Sequence, residues 1–449
     1  MIVVDLNALD PTVWPASASR DADGALTIGG VSVVDLARQY GTPLYIYDEA
    51  DVRQRARDYV RAFNDDDVAT QVYYAGKSFL ATAVARWVSQ EGLGVDVCTA
   101  GELAVALRAG VDPALIMFHG NNKSHAELEM AVDAGVGRIV VDSLIEVERL
   151  AGIAAARGVV QQVYLRLTVG VEAHTHDFLA TAHEDQKFGL SVSSGAARAA
   201  AQAVIAAESL SLAGLHSHIG SQIFDAAGFE TAVHRVIDFA AALRDELDFT
   251  VSELDVGGGM GIAYTASDDP LDIAHMGKAI LDIVRTECAR VSMPVPRLAV
   301  EPGRAIIGPP GITVYEIGTV KPVELDGGQV RTYISVDGGM SDNIRTALYD
   351  AQYTAVPASR MCTGIPHQAR VVGKHCETGD IVVRDTQLPA DLRPGDLLAV
   401  AATGAYCRSM ASNYNHVPRP AAISVRDGQA SVVLRRETTD DLLALDPGA

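Results

Sequence analysis

The sequence predicts an α/β fold, a (β/α)8 TIM-type barrel, joined to a second, discontinuous β-rich domain. From about residue 72 to 301, short runs rich in Val, Ile and Leu alternate with longer Ala-rich segments of helical period. The short runs are almost continuously apolar, which is typical of parallel strands buried on both faces. Eight such units in roughly 230 residues match a closed barrel. A doubly wound open sheet is the alternative, because strand closure cannot be read from one sequence.

The predicted barrel strands follow one another at the spacing of βα units. They are 72–75, 94–97, 116–119, 138–142, 163–167, 214–218, 253–257 and 298–301. Helix-like stretches lie between several of them, and Ser, Asp or Gly residues stand where a helix cap is needed. These stretches are 126–134, 143–156, 196–207, 229–247 and 273–291. In such a barrel the active site lies at the carboxyl ends of the strands.

Beyond Pro309 the pattern changes to short strands separated by turns, which predicts a β-rich domain. Its strand-like segments are 313–320, 330–336, 370–372, 380–383 and 397–402. The amino-terminal part adds two strand-like pieces, 25–28 and 44–47, without a helix-rich core of its own. We therefore expect both pieces to join the carboxyl-terminal sheet. The barrel then comprises residues 48–308, and residues 1–47 and 309–449 form the second domain.

Composition excludes several classes of function. The chain has 36 Lys and Arg against 57 Asp and Glu, a net charge of −21, which disfavours nucleic-acid binding. A small anion can still be held where a few arginines and backbone amides converge. Five scattered cysteines without a C-x-x-C pair fit a reducing compartment. With no basic leader and no apolar run of membrane-spanning length, we expect a cytoplasmic protein without a membrane partner.

Polar residues close the predicted barrel strands, and a purely structural barrel has no need of them at one end. They are Lys77, Asp96, His119, Asp142, Arg166, His218, Asp255 and Glu301. Lys77 directly follows the first strand, where packing against Tyr73 and Ala75 would lower the pKa of its amine by desolvation and allow a Schiff base. Taken alone, a surface lysine at a strand end is the better explanation of Lys77.

Two glycine-rich loops are suited to a phosphate group. Segment 255–261, DVGGGMG, has three successive glycines whose amides can approach a phosphate, although a tight turn explains them equally well. Segment 301–304, EPGR, follows the eighth strand, and barrels usually bind phosphate after strands seven and eight. Ser221 could donate to the phosphate, and His218 could stack on a planar ring. A buried Glu301 needs a cationic partner, such as a protonated pyridine nitrogen.

Histidine pairs leave a metal site as an alternative. His216 and His218 share one face of a strand, and His174, His176 and His183 fall in one loop. Neither an acidic triad nor an H-E-x-x-H helix accompanies them. We therefore expect no catalytic metal.

The second domain carries its own candidates. Arg345 and Tyr349 are spaced i,i+4 on a helix-like stretch and suit a substrate carboxylate, although a surface salt-bridge helix is the alternative. Cys376 stands beside Glu377 in a glycine-bounded loop, where a thiol can donate a proton. Its polar neighbours argue against burial in the core. Tyr406 lies at a further predicted strand end.

Together these motifs resemble the fold-type III pyridoxal-phosphate decarboxylases over nearly the whole chain. The segments that carry the resemblance are YYAGKS (73–78), GVDVCTAGEL (94–103), HGNNKS (119–124), HEDQKFGL (183–190), GLHSHIGSQ (214–222), GGGMG (257–261), EPGR (301–304), CETGD (376–380) and GAYCRSMASNYN (404–415). The resemblance implies pyridoxal 5'-phosphate as cofactor, held by Lys77 as a Schiff base.

The resemblance also implies a role for each matching residue. His218 would stack on the pyridine ring, Glu301 would pair with its nitrogen, and Cys376 would return a proton to the substrate. The phosphate side would be formed by Ser221, Gly258, Gly259, Pro302, Gly303 and Arg304. Substrate would be bound by Arg304, Arg345, Tyr349, Glu377 and Tyr406, of which Tyr406 also serves the cofactor. Cys376 and Glu377 would reach the neighbouring subunit's cofactor, which implies a homodimer with shared sites.

The paired arginines and Glu377 favour a substrate with a second amino-acid head. The expected reaction is decarboxylation of meso-2,6-diaminopimelate to L-lysine, the last step of lysine biosynthesis. Members of the family that act on ornithine or arginine need an acidic residue for a distal cation, and remain an alternative. A racemase on the same barrel is favoured if Cys376 lies too far from the cofactor. A non-catalytic cofactor-binding protein is less expected, because such relatives resemble a lone barrel.

Overall fold

The computed structural model describes residues 5–171 and 187–448 of the chain. The chain divides into two compact units. The first contains Met1–Arg53, Ile262–Asp269 and Ile306–Ala449, and the second contains Gln54–Gly261 and Pro270–Ala305. Among the described residues, no helix has both the length and the apolar character needed to cross a membrane.

The β-strands of the described residues extend from the amino-terminal part of the chain to its carboxyl-terminal part. They are β1 (Ser19–Arg20), β2 (Leu26–Ile28), β3 (Val31–Ser32), β4 (Leu44–Asp48), β5 (Thr70–Ala75), β6 (Gly94–Val97), β7 (Ile116–Phe118), β8 (Arg138–Val141), β9 (Gln161–Thr168), β10 (Leu190–Ser191), β11 (Leu210–His216), β12 (Glu253–Asp255), β13 (Arg297–Val300), β14 (Gly311–Glu324), β15 (Val330–Val336), β16 (Ala355–Pro357), β17 (Pro366–Val372), β18 (Ile381–Pro389), β19 (Leu397–Val400), β20 (Ala421–Arg426) and β21 (Gln429–Leu434).

The α-helices of the same residues follow the βα alternation in the middle of the chain. They are α1 (Val33–Tyr40), α2 (Glu49–Ala62), α3 (Thr82–Gln90), α4 (Ala100–Ala109), α5 (His125–Ala134), α6 (Leu144–Arg157), α7 (Ala196–Ala206), α8 (Ala227–Leu247), α9 (Ile273–Arg290), α10 (Arg304–Ile307), α11 (Arg345–Tyr349) and α12 (Thr439–Leu443).

The second unit contains a closed barrel of eight parallel strands. Its strands pair in the order β5, β6, β7, β8, β9, β11, β12 and β13, and β13 pairs in parallel with β5. The predicted TIM-type barrel is therefore confirmed, and the open sheet is wrong. The interior holds a layer of buried side chains from six strands, namely Tyr73, Met117, Val140, Tyr164, Ala213 and Ala299. A filled interior leaves the strand ends as the place for chemistry.

Local sequence signals explain where the barrel helices begin and end. The Ser124 side chain accepts from the Glu127 N–H, and the Glu127 side chain accepts from the Ser124 N–H, so a capping box begins α5. Ser143 caps α6 in the same way through the Glu146 N–H. Both helices end at a glycine with left-handed backbone, Gly135 or Gly158. The βα alternation is thus encoded locally as well as by hydrophobic period.

The first unit is built around a mixed sheet. Its strand order is β18, β17, β15, β14, β4, β20 and β21, and β19 and β16 extend it from β14. The amino-terminal strand β4 lies between β14 and β20, antiparallel to the first and parallel to the second. The prediction that residues 44–47 join the carboxyl-terminal sheet is therefore confirmed.

The same prediction is wrong for residues 25–28. Strand β2 pairs with β1 and β3 in a separate three-stranded antiparallel sheet. Gly29 and Gly30 both have positive φ and turn the chain directly from β2 into β3, so the pairing stays local. Leu26 and Ile28 nevertheless pack into the hydrophobic core of the first unit.

The sequence reading also missed the hairpin of β20 and β21. Asp427 and Gly428 join these strands, and both have positive φ. An Asp-Gly pair between two alternating apolar runs is a strong hairpin signal. This pair was therefore sufficient to predict the last two strands of the sheet.

Candidate active site

The carboxyl ends of five barrel strands bring titratable side chains together. Asp96 lies in β6, His119 follows β7, His216 ends β11, Asp255 ends β12 and Glu301 follows β13. Each of these residues is at most 5% exposed. Parallel strands of one barrel all end on the same side, so residues distant in sequence meet here. The predicted concentration of charge at this end is confirmed.

Glu301 lies at the centre of this group. Its Oε1 lies 2.6 Å from His119 Nε2, and its Oε2 lies 3.4 Å from His216 Nε2. The two imidazole rings meet edge to face, with centroids 4.9 Å apart. His119 Nε2 is also 3.8 Å from Asp96 Oδ1, so this one ring lies near two carboxyl groups. The shorter contact places a ring nitrogen of His119 directly against a carboxylate oxygen of Glu301.

The three carboxyl groups differ in their protonation. Burial opposes ionisation of Glu301, but contacts with His119 and His216 outweigh it and hold its pKa well below the usual value. Burial raises the pKa of Asp255 well above the usual value, and the charge of Glu301 raises it further. Burial also raises the pKa of Asp96. The cluster therefore places its negative charge on Glu301 rather than on Asp255.

A cradle of bare backbone adjoins this carboxylate. The Gly258 N–H donates to His218 Nδ1 over 3.2 Å. A Cβ on Gly258 would lie 2.1 Å from the Glu301 carbonyl oxygen, and one on Gly259, with φ of +106°, would lie 2.3 Å from the Gly220 carbonyl oxygen. Only glycine fits these positions. Backbone without side chains suits the close approach of a phosphate.

Arg304, after the eighth barrel strand, and Ser221, after the sixth, contact each other. Arg304 begins α10 and is 7% exposed, and its Nη2 donates to Ser221 Oγ over 2.9 Å. A buried guanidinium beside a hydroxyl is a suitable donor pair for an anion. The sequence placed both residues on the phosphate side, and the structure brings them together.

Lys77 lies in a single 3-10 turn, Gly76–Ser78, directly after β5. Ser78 Oγ donates to the Ala75 carbonyl over 2.8 Å and fixes this turn. Lys77 itself is exposed, so the predicted burial of its amine against Tyr73 and Ala75 is wrong. The turn carries the side chain past the end of the strand, which leaves the amine accessible to a ligand.

His218 is half-buried beyond the end of β11. Its pKa lies well below the usual value, first because of burial and then because of the positive charges of Lys77 and Arg166. A neutral imidazole suits stacking on an aromatic ring better than a charged one. Because the charge of Lys77 lowers the pKa of His218, the two side chains share one environment.

The histidine pairs considered as metal ligands are not those that the barrel brings together. Among the described residues, the ligand atoms that come within 4.8 Å of one another belong to His119, His216 and Glu301, without His218. The 2.6 Å contact of His119 with Glu301 is shorter than the ~3.3 Å that separates two ligands around a tetrahedral metal. The other histidines of this alternative, His174, His176 and His183, lie outside the described residues.

The first unit holds Arg345 in an aromatic box. Arg345 begins helix α11, is 4% exposed, and donates through Nη1 to Tyr353 Oη over 2.5 Å. Its guanidinium also lies over the rings of Tyr264 and Tyr353, at 4.8 and 5.6 Å from their centroids. The predicted helix is confirmed, and the surface salt-bridge alternative is wrong. Tyr349 ends the same helix and is half-buried.

The loop that carries Cys376 is fixed by its neighbours. Cys376 and Glu377 are both exposed, which agrees with the expectation that this thiol avoids the core. The buried Asp380 accepts the backbone N–H groups of His375 and Met340 over 2.7 and 2.6 Å. These bonds hold the two ends of the loop while leaving its polar side chains accessible.

Two further contacts complete this arrangement. His375 Nε2 lies 2.8 Å from Ser341 Oγ, and its Nδ1 lies 2.9 Å from Asn415 Oδ1.

Tyr406 has a positive φ of +60°, which is uncommon for a residue with a side chain. Strained backbone of this kind clusters at ligand sites, and it sets the direction of the Tyr406 side chain.

The sequence reading gave no site role to Asp96, His119, His216 or Asp255, although three of them were among the polar strand ends. The polar residue at the carboxyl end of each of these strands was an available signal, because the carboxyl ends of all barrel strands lie on the same side. Tyr264 and Tyr353 were missed as well. They are distant from Arg345 in sequence, and no local pattern connects them.

Comparison with known proteins shows the family of the chain. Residues 49–308 match the family model of the pyridoxal-dependent decarboxylase, pyridoxal binding domain. A diaminopimelate decarboxylase of Mycobacterium tuberculosis is 57% identical over 98% of this chain and 99% of its own length. One from Bacillus subtilis is 43% identical over 96% and 97%. A crystal structure of the M. jannaschii diaminopimelate decarboxylase in complex with L-lysine has a TM-score of 0.88 at 29% identity, covering 96% of this chain and 98% of that one.

Proposed function

The chain belongs to the pyridoxal-dependent decarboxylase family, and on that premise we propose that it decarboxylates meso-2,6-diaminopimelate to L-lysine. It is a carboxy-lyase, and its cofactor is pyridoxal phosphate. The observation that carries the proposal is the buried, ionised Glu301 beside a glycine cradle at the carboxyl end of the barrel. The substrate follows from the relatives named diaminopimelate decarboxylase, which match nearly the whole chain.

The described residues fit this cofactor. Lys77 is exposed and suits the aldehyde of the cofactor. The glycine cradle, which a single Cβ would fill, suits its phosphate, and the carboxylate of Glu301 suits its protonated pyridine nitrogen. When bound, pyridoxal phosphate supplies an electron-withdrawing ring that takes up the electron pair left by the departing carboxylate. The remaining steps depend on side chains of the chain itself.

We assign the cofactor contacts as follows. Lys77 holds the aldehyde covalently, His218 packs against the ring, and Glu301 accepts the pyridine N–H. The phosphate is held by Ser221, Gly258, Gly259, Pro302, Gly303 and Arg304. These assignments are supported by the short turn that presents Lys77, by the neutral state of the His218 ring and by the Arg304 to Ser221 hydrogen bond.

We assign substrate recognition to a second set of residues. A diaminopimelate has an amino-acid head at each end, so both positive and negative side chains are needed. The set comprises Arg304, Arg345, Tyr349, Glu377 and Tyr406, of which Tyr406 also serves the cofactor. The aromatic box supports this role for Arg345, because it keeps the guanidinium charged without neutralising it by a carboxylate.

We further propose that Cys376 returns the proton to the substrate carbon, and that Cys376 and Glu377 both reach the site of the partner subunit in a homodimer. Their exposure supports this, since neither side chain is buried within its own unit. The five cysteines are all free thiols, which suits the reducing cytoplasm in which we place the enzyme.

Mixing two inactive variants tests this arrangement. If sites are shared, each mixed dimer of Lys77→Ala and Cys376→Ala chains has one site that holds both Lys77 and Cys376 and one that holds neither. Chains mixed after dissociation therefore recover up to about a quarter of the wild-type activity. Absence of any recovery in verified mixed dimers would show that each subunit supplies its own Cys376.

Product analysis tests the reaction itself. The holoenzyme is incubated in parallel with meso-diaminopimelate, ornithine, arginine and alanine. We expect lysine and carbon dioxide from the first substrate alone. Turnover of ornithine or arginine would retain decarboxylation and reject the substrate assignment. Inversion of alanine without gas release would reject decarboxylation and favour the racemase.

A further inference from the structure

His119 lies beside two of the buried carboxyl groups at the barrel end, those of Asp96 and Glu301. Three carboxyl groups, those of Asp96, Asp255 and Glu301, are buried together at the barrel end. In the described part of the chain, only one of them contacts an imidazole within 3 Å, and that contact joins His119 Nε2 to Glu301 Oε1. The neighbouring Asp96 lies 3.8 Å from the same nitrogen. A single side chain therefore distinguishes Glu301 from its competitors.

His216 does not replace His119 in this function. Its Nε2 is 3.4 Å from Glu301, and burial lowers its pKa to about 4, so it is neutral near pH 7. A neutral ring at that distance stabilises an anion more weakly than the closer contact of His119 with the other oxygen. Without His119, burial of Glu301 would favour its protonated form, because His119 is the neighbour that lowers the pKa of this carboxyl most strongly.

We propose that His119 is a positioning residue that holds the negative charge on Glu301 and thereby keeps the proton on the pyridine nitrogen of the cofactor. The inference rests on the proposed function, because it takes Glu301 as the partner of that nitrogen. His119 does not touch the substrate. It acts through Glu301, whose second oxygen and remaining lone pairs stay available to the pyridine N–H.

The experiment compares two cofactors in the apoenzyme. One is pyridoxal phosphate, and the other is its 1-deaza analogue, in which a C–H replaces the ring nitrogen while the aldehyde and phosphate are kept. Equilibrium binding of both is measured for the wild type, His119→Leu, His119→Gln and Val140→Ala. The last variant removes buried volume from the barrel interior without touching the cluster, and controls for general loosening.

We expect the wild type to prefer pyridoxal phosphate over the analogue by about 10- to 100-fold, as for a buried charge-assisted hydrogen bond. His119→Leu loses most of this preference, His119→Gln keeps an intermediate preference because its amide can donate, and Val140→Ala keeps it in full. The absorption of the bound cofactor shifts in the same order.

Two results would overturn the inference. The first is an unchanged preference in both His119 variants. The second is an equal loss of affinity for both cofactors, which would mark His119 as merely structural. His119→Gln preserves shape and polarity, so it tests the inference even if His119→Leu does not fold. Equal binding of both cofactors by the wild type would instead reject Glu301 as the partner of the nitrogen, and with it this part of the proposed function.

Discussion

Strand β12 carries two carboxyl groups whose pKa values are shifted in opposite directions. Glu253 begins the strand at the amino end of the barrel, and Asp255 ends it on the opposite side. Burial opposes ionisation of Glu253, yet hydrogen bonds from Arg138 and Tyr164 outweigh it and lower the pKa of this carboxyl. Burial raises the pKa of Asp255, and the nearby charge of Glu301 raises it further. On one strand, pairing with Arg138 thus favours the ionised form of Glu253, and burial favours the neutral form of Asp255.

The difference shows how one barrel serves stability and chemistry at its two ends. At the amino end, Arg138 binds both oxygens of Glu253 over 3.0 and 2.6 Å, and the charges compensate each other. At the carboxyl end, burial raises the pKa of Asp96 and Asp255, whereas His119 and His216 lower the pKa of Glu301. Residues at the amino end therefore support the fold, and those at the carboxyl end support function.

The largest expected effect is that of Lys77→Ala at the carboxyl end. Without its amine the cofactor has no covalent attachment, and we expect kcat to fall by about 10³-fold or more. Thermal unfolding of the apoprotein should change little, because Lys77 is exposed. Absorbance of the reconstituted protein checks attachment, and steady-state rates check turnover. Full activity in this variant would remove Lys77 from the mechanism.

Glu301→Gln is expected to lower kcat by about 10²- to 10³-fold, the usual loss on removing a group that stabilises developing charge. The amide keeps the shape of the side chain but cannot hold a proton on the pyridine nitrogen. Glu253→Gln at the other end is the matched control and should keep its rate. Similar rates in the two variants would abolish the distinction between the two ends.

Arg138→Leu tests the amino end. Glu253 then loses both hydrogen bonds from Arg138 and keeps the Tyr164 hydroxyl and Arg297, which is 3.8 Å away. We therefore expect the free energy of unfolding to fall by about 2 kcal/mol while kcat stays within about twofold of the wild type. Denaturant unfolding of the apoprotein and steady-state rates measure the two quantities. A large loss of rate with unchanged stability would contradict the structural role of this end.

The same pair predicts a dependence of stability on pH. The folded pKa of Glu253 is lowered, so its contribution is present above the unfolded pKa and is lost as the pH falls through the folded value. We expect the stability difference between the wild type and Arg138→Leu to shrink in acid. A difference that is constant from neutral to acid pH would argue against an ion pair.

The smallest expected effect is that of Asp255→Asn. Burial and the charge of Glu301 raise the pKa of this carboxyl, which favours its neutral form, and an amide oxygen can still accept the Gly257 N–H that Asp255 Oδ1 accepts over 2.7 Å. We expect kcat to change by less than about threefold. Asp255→Ala, which also removes the acceptor, is the comparison. A loss as large as that of Glu301→Gln would show that Asp255 carries a charge.

The sequence predicted the barrel and most of its strand ends because hydrophobic period is local and parallel strands share one direction. It therefore placed Asp96, His119, Asp255 and Glu301 at one end without a structure. It could not predict which of them is ionised, since that depends on contacts such as the 2.6 Å between His119 and Glu301. Nor could it predict the exposure of Lys77, which depends on one turn of backbone after β5.

The most direct test of the account is to observe the protonation of the two carboxyl groups in the apoenzyme near pH 7. Carbon-13 NMR of protein labelled at the side-chain carboxyl carbons, assigned through Glu301→Gln and Asp255→Asn, reports each group separately. The account predicts an ionised Glu301 and a protonated Asp255. A protonated Glu301 beside an ionised Asp255 would contradict it.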